Sequence, residues 1–332
     1  MNENTESLAF PAHAAIVERA ANALRTLALD EPLKAHVAGN ATLRAVLARI
    51  SRRYVAGSST GSALERVASI LARGHAASAE YLGESCRDAE QANHATDMFV
   101  ALIAALDERG LPCSVSLDLS HVGSLIDPAL GLRNIRRIAQ AASASARELM
   151  ISMERSDRTD WILDTYQRLH ADGDARRHVG ITLQSRLHRT DRDLERLLHC
   201  PGRIRLVKGA YLESPDIAHP RGSPALRNAY LGQAKMLLTS GHACSIATHD
   251  ATIQDELSTF IHSRGLRQMP YEFESLIGLG TAQIDALRQQ GFATREYAVY
   301  GEDHFLYVLN RIAEHPVRLA QAVIDASGYA GP

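Results

Sequence analysis

The chain has 332 residues, of which 45% are hydrophobic and 22% are charged, and this composition is typical of a globular protein with one large domain or two smaller ones. A formal net charge of −2 argues against a binder of nucleic acid or of an anionic membrane, since either partner favours a strongly basic protein. No apolar stretch approaches the roughly 18 residues of a membrane span, and the first ten residues, MNENTESLAF, lack the pattern of a secretory signal. We therefore expect a cytoplasmic protein without a transmembrane segment.

Cysteine and histidine patterns give no sign of a metal site. The four cysteines are scattered and form no CxxC pair, and the fifteen histidines form no HExxH motif. We expect reduced thiols inside the fold and histidines mostly on the surface.

The first part of the chain has the pattern of helices. Apolar residues recur at helical spacing from Ala14 to about Arg73, with breaks near Pro32 and between Gly57 and Gly61. This pattern predicts a small N-terminal helical region, which we assign to residues 1–74.

Eight short apolar runs follow, each succeeded by an amphipathic stretch. Strands covered by helices on one side of a parallel sheet have this alternation, and eight units over about 240 residues suit a distorted (β/α)8 TIM barrel, assigned to residues 75–332. An open doubly wound sheet is the alternative, but no GxGxxG motif follows any run. The predicted strands are 78–82, 114–119, 149–153, 180–184, 204–208, 244–248, 271–273 and 295–299.

The densest group of polar residues is RIRLVKGAYLE, residues 203–213. Arg205 and Lys208 have opposite parity on a short strand, so their side chains point to opposite faces. Gly209 then allows a close approach of backbone to ligand, and Tyr211 adds a ring and a hydroxyl. If Arg205 points into the barrel it needs an anionic partner, and an internal salt bridge is the simplest alternative to a ligand.

Two further segments carry polar residues in ordered patterns. SIATHD, residues 245–250, delivers Thr248 and His249 to a strand end, where they suit a phosphate or a ribose; capping of the next helix by Asp250 or Thr252 is the alternative. A helix starting near Asp303 would place Tyr307, Asn310, Arg311 and Glu314 on one face, which could equally be a solvated stripe.

Taken together, RLVKGAY, ATHD, YEFESLIG, REYAVYG and YVLNRIAEHP resemble the proline dehydrogenase family, whose members read RLVKGAY, ATHD, FEFxMLYG, YVPYG and YxxRRxxE in the same order. With YLGES at residues 81–85, the resemblance covers about residues 55 to 320. It implies a distorted (β/α)8 barrel that binds FAD non-covalently across the carboxyl ends of the strands.

The resemblance also implies roles for individual residues. Arg205 resembles the arginine near flavin N5, where a positive group would stabilise the reduced anionic flavin, and Gln184 resembles the glutamine beside the isoalloxazine. The expected cofactor-binding residues are Gln184, Arg205, Val207, Lys208, Gly209, Ala210, Thr248, His249 and Glu314.

The substrate side departs from the family pattern. Family members hold the proline carboxylate with one lysine and two arginines; these positions are Asp118, Asn310 and Arg311 here, so three positive charges become a formal sum of zero. Ser152 replaces an aspartate, Arg186 an aromatic residue and Ile277 a tyrosine. We expect catalytic roles for Tyr211, Tyr297, Arg311, Asp118, Ser152 and Leu276, and control of specificity by Asp118, Arg186, Ile277, Tyr307 and Asn310.

The implied activity is dehydrogenation of a C–N bond to an imine, with hydride transfer to flavin N5 and with quinone or oxygen as electron acceptor. Loss of the cationic clamp predicts a proline-like or other amine substrate, free or carrier-bound, rather than free L-proline. Arg186 could restore the lost charge, or Asp118 could pair with Arg311. An ordinary L-proline dehydrogenase and a catalytically silent FAD-binding sensor or scaffold are the alternatives.

Overall fold

A computed structural model describes residues 9–83, 86–171 and 177–329, and the side chains within them other than those of residues 9–15 and 316. The described part of the chain forms two compact units, one built from its residues up to 58 together with those from 301 onward, and the other from its residues between 59 and 300. This division puts the helix at residues 60–72 with the barrel, whereas the sequence-based boundary falls after residue 74. The assignment of residues 75–332 as the catalytic domain stays a prediction.

The larger unit is a closed barrel of eight parallel strands in sequential order, β1 to β8, as the sequence predicts. The strands are β1 (Ala76–Tyr81), β2 (Cys113–Leu117), β3 (Leu149–Ile151), β4 (Val179–Gln184), β5 (Ile204–Val207), β6 (Cys244–Ala247), β7 (Tyr271–Leu276) and β8 (Thr294–Tyr300).

Helices precede and cover this barrel. Several begin at residues whose side chains cap the free backbone N–H groups, for example Asp127 before Pro128 and Ser223 before Pro224. The helices of this unit are α4 (Thr60–Ala72), α5 (Ala89–Glu108), α6 (Pro128–Ala144), α7 (Thr159–Ala171), α8 (Thr190–Leu197), α9 (Pro224–Ser240), α10 (Ala251–Ser263) and α11 (Thr281–Gln289).

Strand alternation separates an apolar outer face from a polar interior. Outward residues such as Val115, Ile181 and Leu206 are fully or almost fully buried beneath the helices. Inward residues are unusually polar, so the interior of the barrel is held together by hydrogen bonds and ion pairs. Parallel register aligns the strand ends at one face of the barrel, where the polar side chains of successive strands meet.

The smaller unit contains α1 (Ala9–Ala28), α2 (Glu31–Gly39), α3 (Ala41–Ser51), α12 (Phe305–Ala313) and α13 (Pro316–Ser327). Within it α1 packs on α12, and α13 packs on both α3 and α12. Helix α12 begins at Phe305, two residues later than predicted. None of the described helices combines the length and the apolarity that crossing a membrane requires.

Candidate active site

The floor of the barrel is a polar layer centred on Arg295. Its guanidinium donates to Glu272 at 2.7 Å, to the Ala77 carbonyl at 2.7 Å and to the Ser114 hydroxyl at 2.7 Å. Ser245 also donates to Glu272, at 2.6 Å. An open cleft of about 580 Å³ lies at this amino-terminal end and is lined in part by Arg295. Because Nε and Nη1 of the guanidinium are both held by protein groups and its charge is paired with Glu272, we assign this layer to stability.

Arg205 lies one layer nearer the mouth and points inward, as its parity predicts. It donates to both carboxylate oxygens of Glu274 at 2.9 Å and to Ser116 Oγ at 3.1 Å. Its guanidinium carbon lies 4.8 Å from the centroid of the Tyr297 ring. Arg205 and Glu274 are 4% and 3% exposed. The internal salt bridge considered from the sequence is therefore present, and it balances the charge of Arg205.

Gln184 ends β4 beside this layer, and its side chain is only half satisfied. Nε2 donates to the Glu154 carbonyl at 2.7 Å, whereas the buried Oε1 has no hydrogen-bond partner in the described part of the chain. Gly209, with φ +110°, lies so close that a Cβ there would be 2.8 Å from Gln184 Oε1. A bare backbone next to an unsatisfied buried acceptor is a cradle that a ligand N–H group can complete.

The corner formed by β5 and β6 contains Lys208, Thr248 and His249. Lys208 pairs with Asp250 at 2.6 Å, and Asp250 also caps α10 by accepting from the backbone of Thr252. Burial opposes ionisation of Asp250, yet the hydrogen bonds from Lys208 and Thr252 keep its pKa at about 2. His249 Nε2 accepts from the backbone N–H of Leu276. The capping alternative therefore holds for Asp250, and register brings this corner beside Gln184.

Asp118 follows β2 and lies at the barrel mouth beside Ser152, the residue that replaces an aspartate of the family. Ser152 donates a hydrogen bond to the Asp118 carboxylate. Burial, together with the charge of Glu154, raises the pKa of Asp118 to about 7. Glu154 accepts from the backbone N–H of Ser120 at 2.9 Å and pairs with Arg158.

The phenol of Tyr211 faces this acidic group. Burial raises the pKa of Tyr211, and the carboxylates of Asp118, Glu154 and Glu80 raise it further. The hydroxyl therefore stays protonated at neutral pH and is a hydrogen-bond donor. Leu276 and Tyr297 are aligned on β7 and β8, and the Tyr297 ring lies beside the Arg205 guanidinium inside the barrel.

Arg186 holds the loop after β5. It donates through Nη1 to the Tyr211 carbonyl and through Nη2 to the His219 carbonyl at 3.2 Å. These bonds occupy both terminal nitrogens with main-chain oxygens, so replacement of the lost carboxylate clamp by Arg186 requires that they break. Ile277 is 3% exposed and donates its backbone N–H to Tyr297.

The remaining predicted residues fall in two places. Val207 is half-buried at the end of β5, and Ala210 is exposed on the following loop. In the smaller unit Tyr307, Asn310 and Arg311 lie on α12. Arg311 pairs with Glu314 at 2.7 Å, and its guanidinium lies 5.3 Å from the Tyr307 ring centroid. Glu84 and Ser85 of the YLGES motif lie outside the described residues.

Comparison with known proteins adds a family to this geometry. The proline dehydrogenase family model matches residues 63–314. The proline dehydrogenase of Deinococcus radiodurans is 33% identical over 277 residues, which cover 82% of this chain and 89% of the relative. Proline dehydrogenase 2 of Bacillus subtilis is 30% identical over 270 residues, 81% of this chain and 88% of the relative. The chain belongs to the proline dehydrogenase family.

Solved structures confirm the barrel fold. Proline utilization A from Bdellovibrio bacteriovorus, inactivated by N-propargylglycine, superposes with a TM-score of 0.76 at 18% identity, covering 85% of this chain. A Bradyrhizobium japonicum proline utilization A mutant gives 0.67 at 20% identity and 80% coverage. This chain spans only about a third of those longer chains, 36% and 30%.

Proline dehydrogenases are flavin-dependent oxidoreductases that act on CH–NH groups, and this chain is an oxidoreductase of that class. Two residues of this member's site escaped the sequence analysis as site residues. Glu274 appears there only inside the YEFESLIG motif, and Glu80 not at all. The signal for Glu80 is its parity with Ser78, which places a carboxylate on the inward face of β1.

Proposed function

We propose that this protein is an FAD-dependent dehydrogenase that oxidises a C–N bond of a proline-like or other amine to an imine, and that free L-proline is not its preferred substrate. The observation that carries the proposal is the acidic barrel mouth. Asp118 lies beside Glu154 and Tyr211, where the family has a lysine that binds the substrate carboxylate.

The residues at the strand ends fit a flavin. Gln184 Oε1 is a buried acceptor in need of a donor, and Gly209 leaves room beside it. Gln184, Arg205 and Gly209 would hold the ring system, while Thr248 and His249 would hold the ribityl and phosphate part. When bound there, FAD supplies the two-electron acceptor, and a quinone or oxygen is the final acceptor class we expect.

The chain's own contribution is positioning rather than acid–base chemistry. The hydrogen leaves the reacting carbon with the electron pair of the C–H bond while the nitrogen lone pair forms the C=N bond, so the amine has to be neutral and oriented. Tyr297 and Leu276 supply a wall for the reacting carbon, and the protonated Tyr211 supplies a donor.

Asp118 disfavours a substrate carboxylate for two reasons. It removes a charge-assisted hydrogen bond of about 1.5 to 3 kcal/mol, and it adds like-charge repulsion in a poorly solvated pocket. Dehydrogenation of free L-proline remains the second candidate, because the named relatives at 30% to 33% identity are proline dehydrogenases.

The test is whether the purified protein has the yellow colour of bound flavin and whether amines bleach that colour. We expect a yellow protein, or one that becomes yellow with FAD, and anaerobic bleaching by members of a panel of cyclic and acyclic amines. A protein that cannot be loaded with FAD overturns the proposal, and a yellow protein that no amine bleaches supports a silent binder instead.

A matched pair of variants tests the flavin site itself. Gln184→Leu should lower FAD retention, because it removes the unsatisfied acceptor. Gln233→Leu is the control, since Gln233 is also 2% exposed with a partnerless Oε1, but it lies on α9 away from the strand ends. Equal FAD content in the two variants would contradict the assignment of Gln184.

A further inference from the structure

The barrel mouth contains more carboxyl groups than cationic side chains among the described residues. Four carboxylates lie there, and two of them are balanced: Glu274 by Arg205 and Glu154 by Arg158. Glu80 and Asp118 have no ion pair within 4.0 Å to any cation in the described residues. The described site therefore has two carboxylates without a balancing cation.

Glu80 is the more deeply placed of these two. It lies on the inward face of β1 and is 8% exposed, and within the described part of the chain its carboxyl group has no side-chain hydrogen bond or ion pair. Burial raises the pKa of Glu80, the charge of Asp118 raises it further, and Arg205 lowers it. A buried carboxylate without partners is costly, and a bound cation removes that cost.

Asp118 lies close enough to Glu80 for its charge to raise the pKa of Glu80, and a ligand could reach it. Its side chain is partly accessible, and Ser152 fixes its orientation by a hydrogen bond. The charges of both carboxylates raise the pKa of the Tyr211 phenol, beyond the larger effect of burial. A positive group held by Glu80 and Asp118 would thus lie next to the tyrosine assigned to the substrate.

The reacting nitrogen cannot itself provide this positive charge. It has to be neutral when the hydride leaves, so it does not balance the carboxylates in the reactive complex. The groups that face Asp118 and Glu80 are Glu154, Arg158, Arg205 and Tyr211, and the two arginines among them already serve Glu154 and Glu274. A second positive group of the substrate, away from the reacting nitrogen, would allow both groups to ionise and would balance their charge.

We propose that the substrate carries a second basic nitrogen, bound as an ammonium group by Glu80 and Asp118, so that the substrate class is a diamine such as a cyclic amine with an aminoalkyl side chain and no free carboxylate. This inference rests on the proposed function. The second ammonium takes the place that a carboxylate has in a proline site, with the sign of the charge reversed.

A set of matched pyrrolidines tests the substrate class. The FAD-loaded protein is mixed anaerobically with 2-(aminomethyl)pyrrolidine, 2-methylpyrrolidine or L-proline, and both flavin bleaching and thermal stabilisation of the holoprotein are measured. We expect the diamine to bind about tenfold or more tightly than 2-methylpyrrolidine, because it adds charge-assisted hydrogen bonds. L-Proline should bind most weakly.

Two nearly isosteric variants locate the effect. Glu80→Gln and Asp118→Asn should each reduce the preference for the diamine by about tenfold and leave binding of 2-methylpyrrolidine much less changed. Asp97→Asn, at an exposed carboxylate on α5, is the control and should keep the wild-type preference. If one site variant fails to fold, the other variant and the wild-type ratio still decide.

The outcomes separate the two proposals. Equal binding of diamine and 2-methylpyrrolidine overturns the inference, while bleaching by either of them keeps the proposed function. Absence of bleaching by every amine overturns the proposed function, and the thermal shift then still reports whether the diamine is preferred. A diamine preference that survives in both variants overturns the assignment to Glu80 and Asp118.

Discussion

Arg205 donates to both carboxylate oxygens of Glu274 at 2.9 Å inside the barrel, and its guanidinium lies against the Tyr297 ring. The positive charge expected to stabilise a reduced flavin is therefore balanced from within the protein. The net field at the mouth depends on Glu274 as much as on Arg205.

Glu274→Gln should raise the midpoint potential of the bound flavin. Glutamine keeps a hydrogen bond to Arg205 but removes the negative charge, and we expect an upward shift of about 30 mV or more, which is 1.4 kcal/mol for a two-electron couple. Dye-equilibrated anaerobic reduction measures the shift. Glu272→Gln is the control because it lies about 7 Å further along the same strand, at the floor. An unchanged or lowered potential in Glu274→Gln would contradict the account.

Asp118→Asn should change how stability depends on pH. The pKa of Asp118 is about 7 in the folded protein, where burial and then Glu154 raise it, and about 4 in an unfolded chain. The folded state therefore holds an extra proton between these values, and the free energy of unfolding falls as pH rises through that window. The variant should lose less stability between pH 5 and pH 8 and should exceed the wild type at pH 8.

Urea unfolding at the two pH values measures this difference. Asp97→Asn serves as the control, because Asp97 is exposed and its ion pair with Arg137 contributes little. If the free energy of unfolding depends on pH in the same way for the wild type and Asp118→Asn, the pKa of Asp118 is not raised in the folded protein.

Gly209→Ala should impair both folding and loading with FAD. Its φ of +110° is unfavourable for alanine, and the new Cβ would meet Gln184 Oε1 and the Arg186 side chain at 2.8 Å. We expect the free energy of unfolding to fall by about 1 to 3 kcal/mol and the purified variant to contain less flavin per chain. Gly222→Ala is matched in sign of φ, at +69°, but its Cβ would have nothing within 4 Å. Equal flavin content in both variants would refute a cradle at Gly209.

Arg295→Met should unfold the barrel at lower urea concentration. It leaves the Glu272 carboxylate without its closest cation, and breaking such a buried pair costs about 3 to 5 kcal/mol. Adding Glu272→Met should recover part of the loss. Arg137→Met, which breaks an exposed pair, should cost less than about 1 kcal/mol. A similar cost for the Arg295 and Arg137 variants would contradict the floor assignment.

Sequence patterns predicted the strands well because the outward residues of each strand, which the helices bury, are β-prone apolar residues in short runs. The failures at strand ends have a physical cause. The seventh predicted strand stopped at Phe273, whereas β7 continues to Leu276, because Glu274 looks like a loop residue until its partner is known. The third predicted strand extended to Met153, whereas β3 ends at Ile151.

The motifs located individual site residues, but they did not reveal their pairing. Arg205 and Glu274 are 69 positions apart, and nothing local in RLVKGAY indicates which carboxylate serves the arginine. Asp118 and Ser152 were each recognised as departures from the family, yet their hydrogen bond follows only from the neighbouring positions of β2 and β3. Recognition of Glu80 as a site residue required knowledge of which face of β1 points into the barrel.

The most direct measurement is the rate of anaerobic flavin reduction by L-proline in the wild type and in the variant Asp118→Lys. The account predicts slow, weakly saturating reduction in the wild type and a gain of at least about tenfold in the rate constant at low substrate in the variant, because a charge-assisted bond replaces a like charge. Fast reduction of the wild type by L-proline, with no gain in the variant, would contradict it.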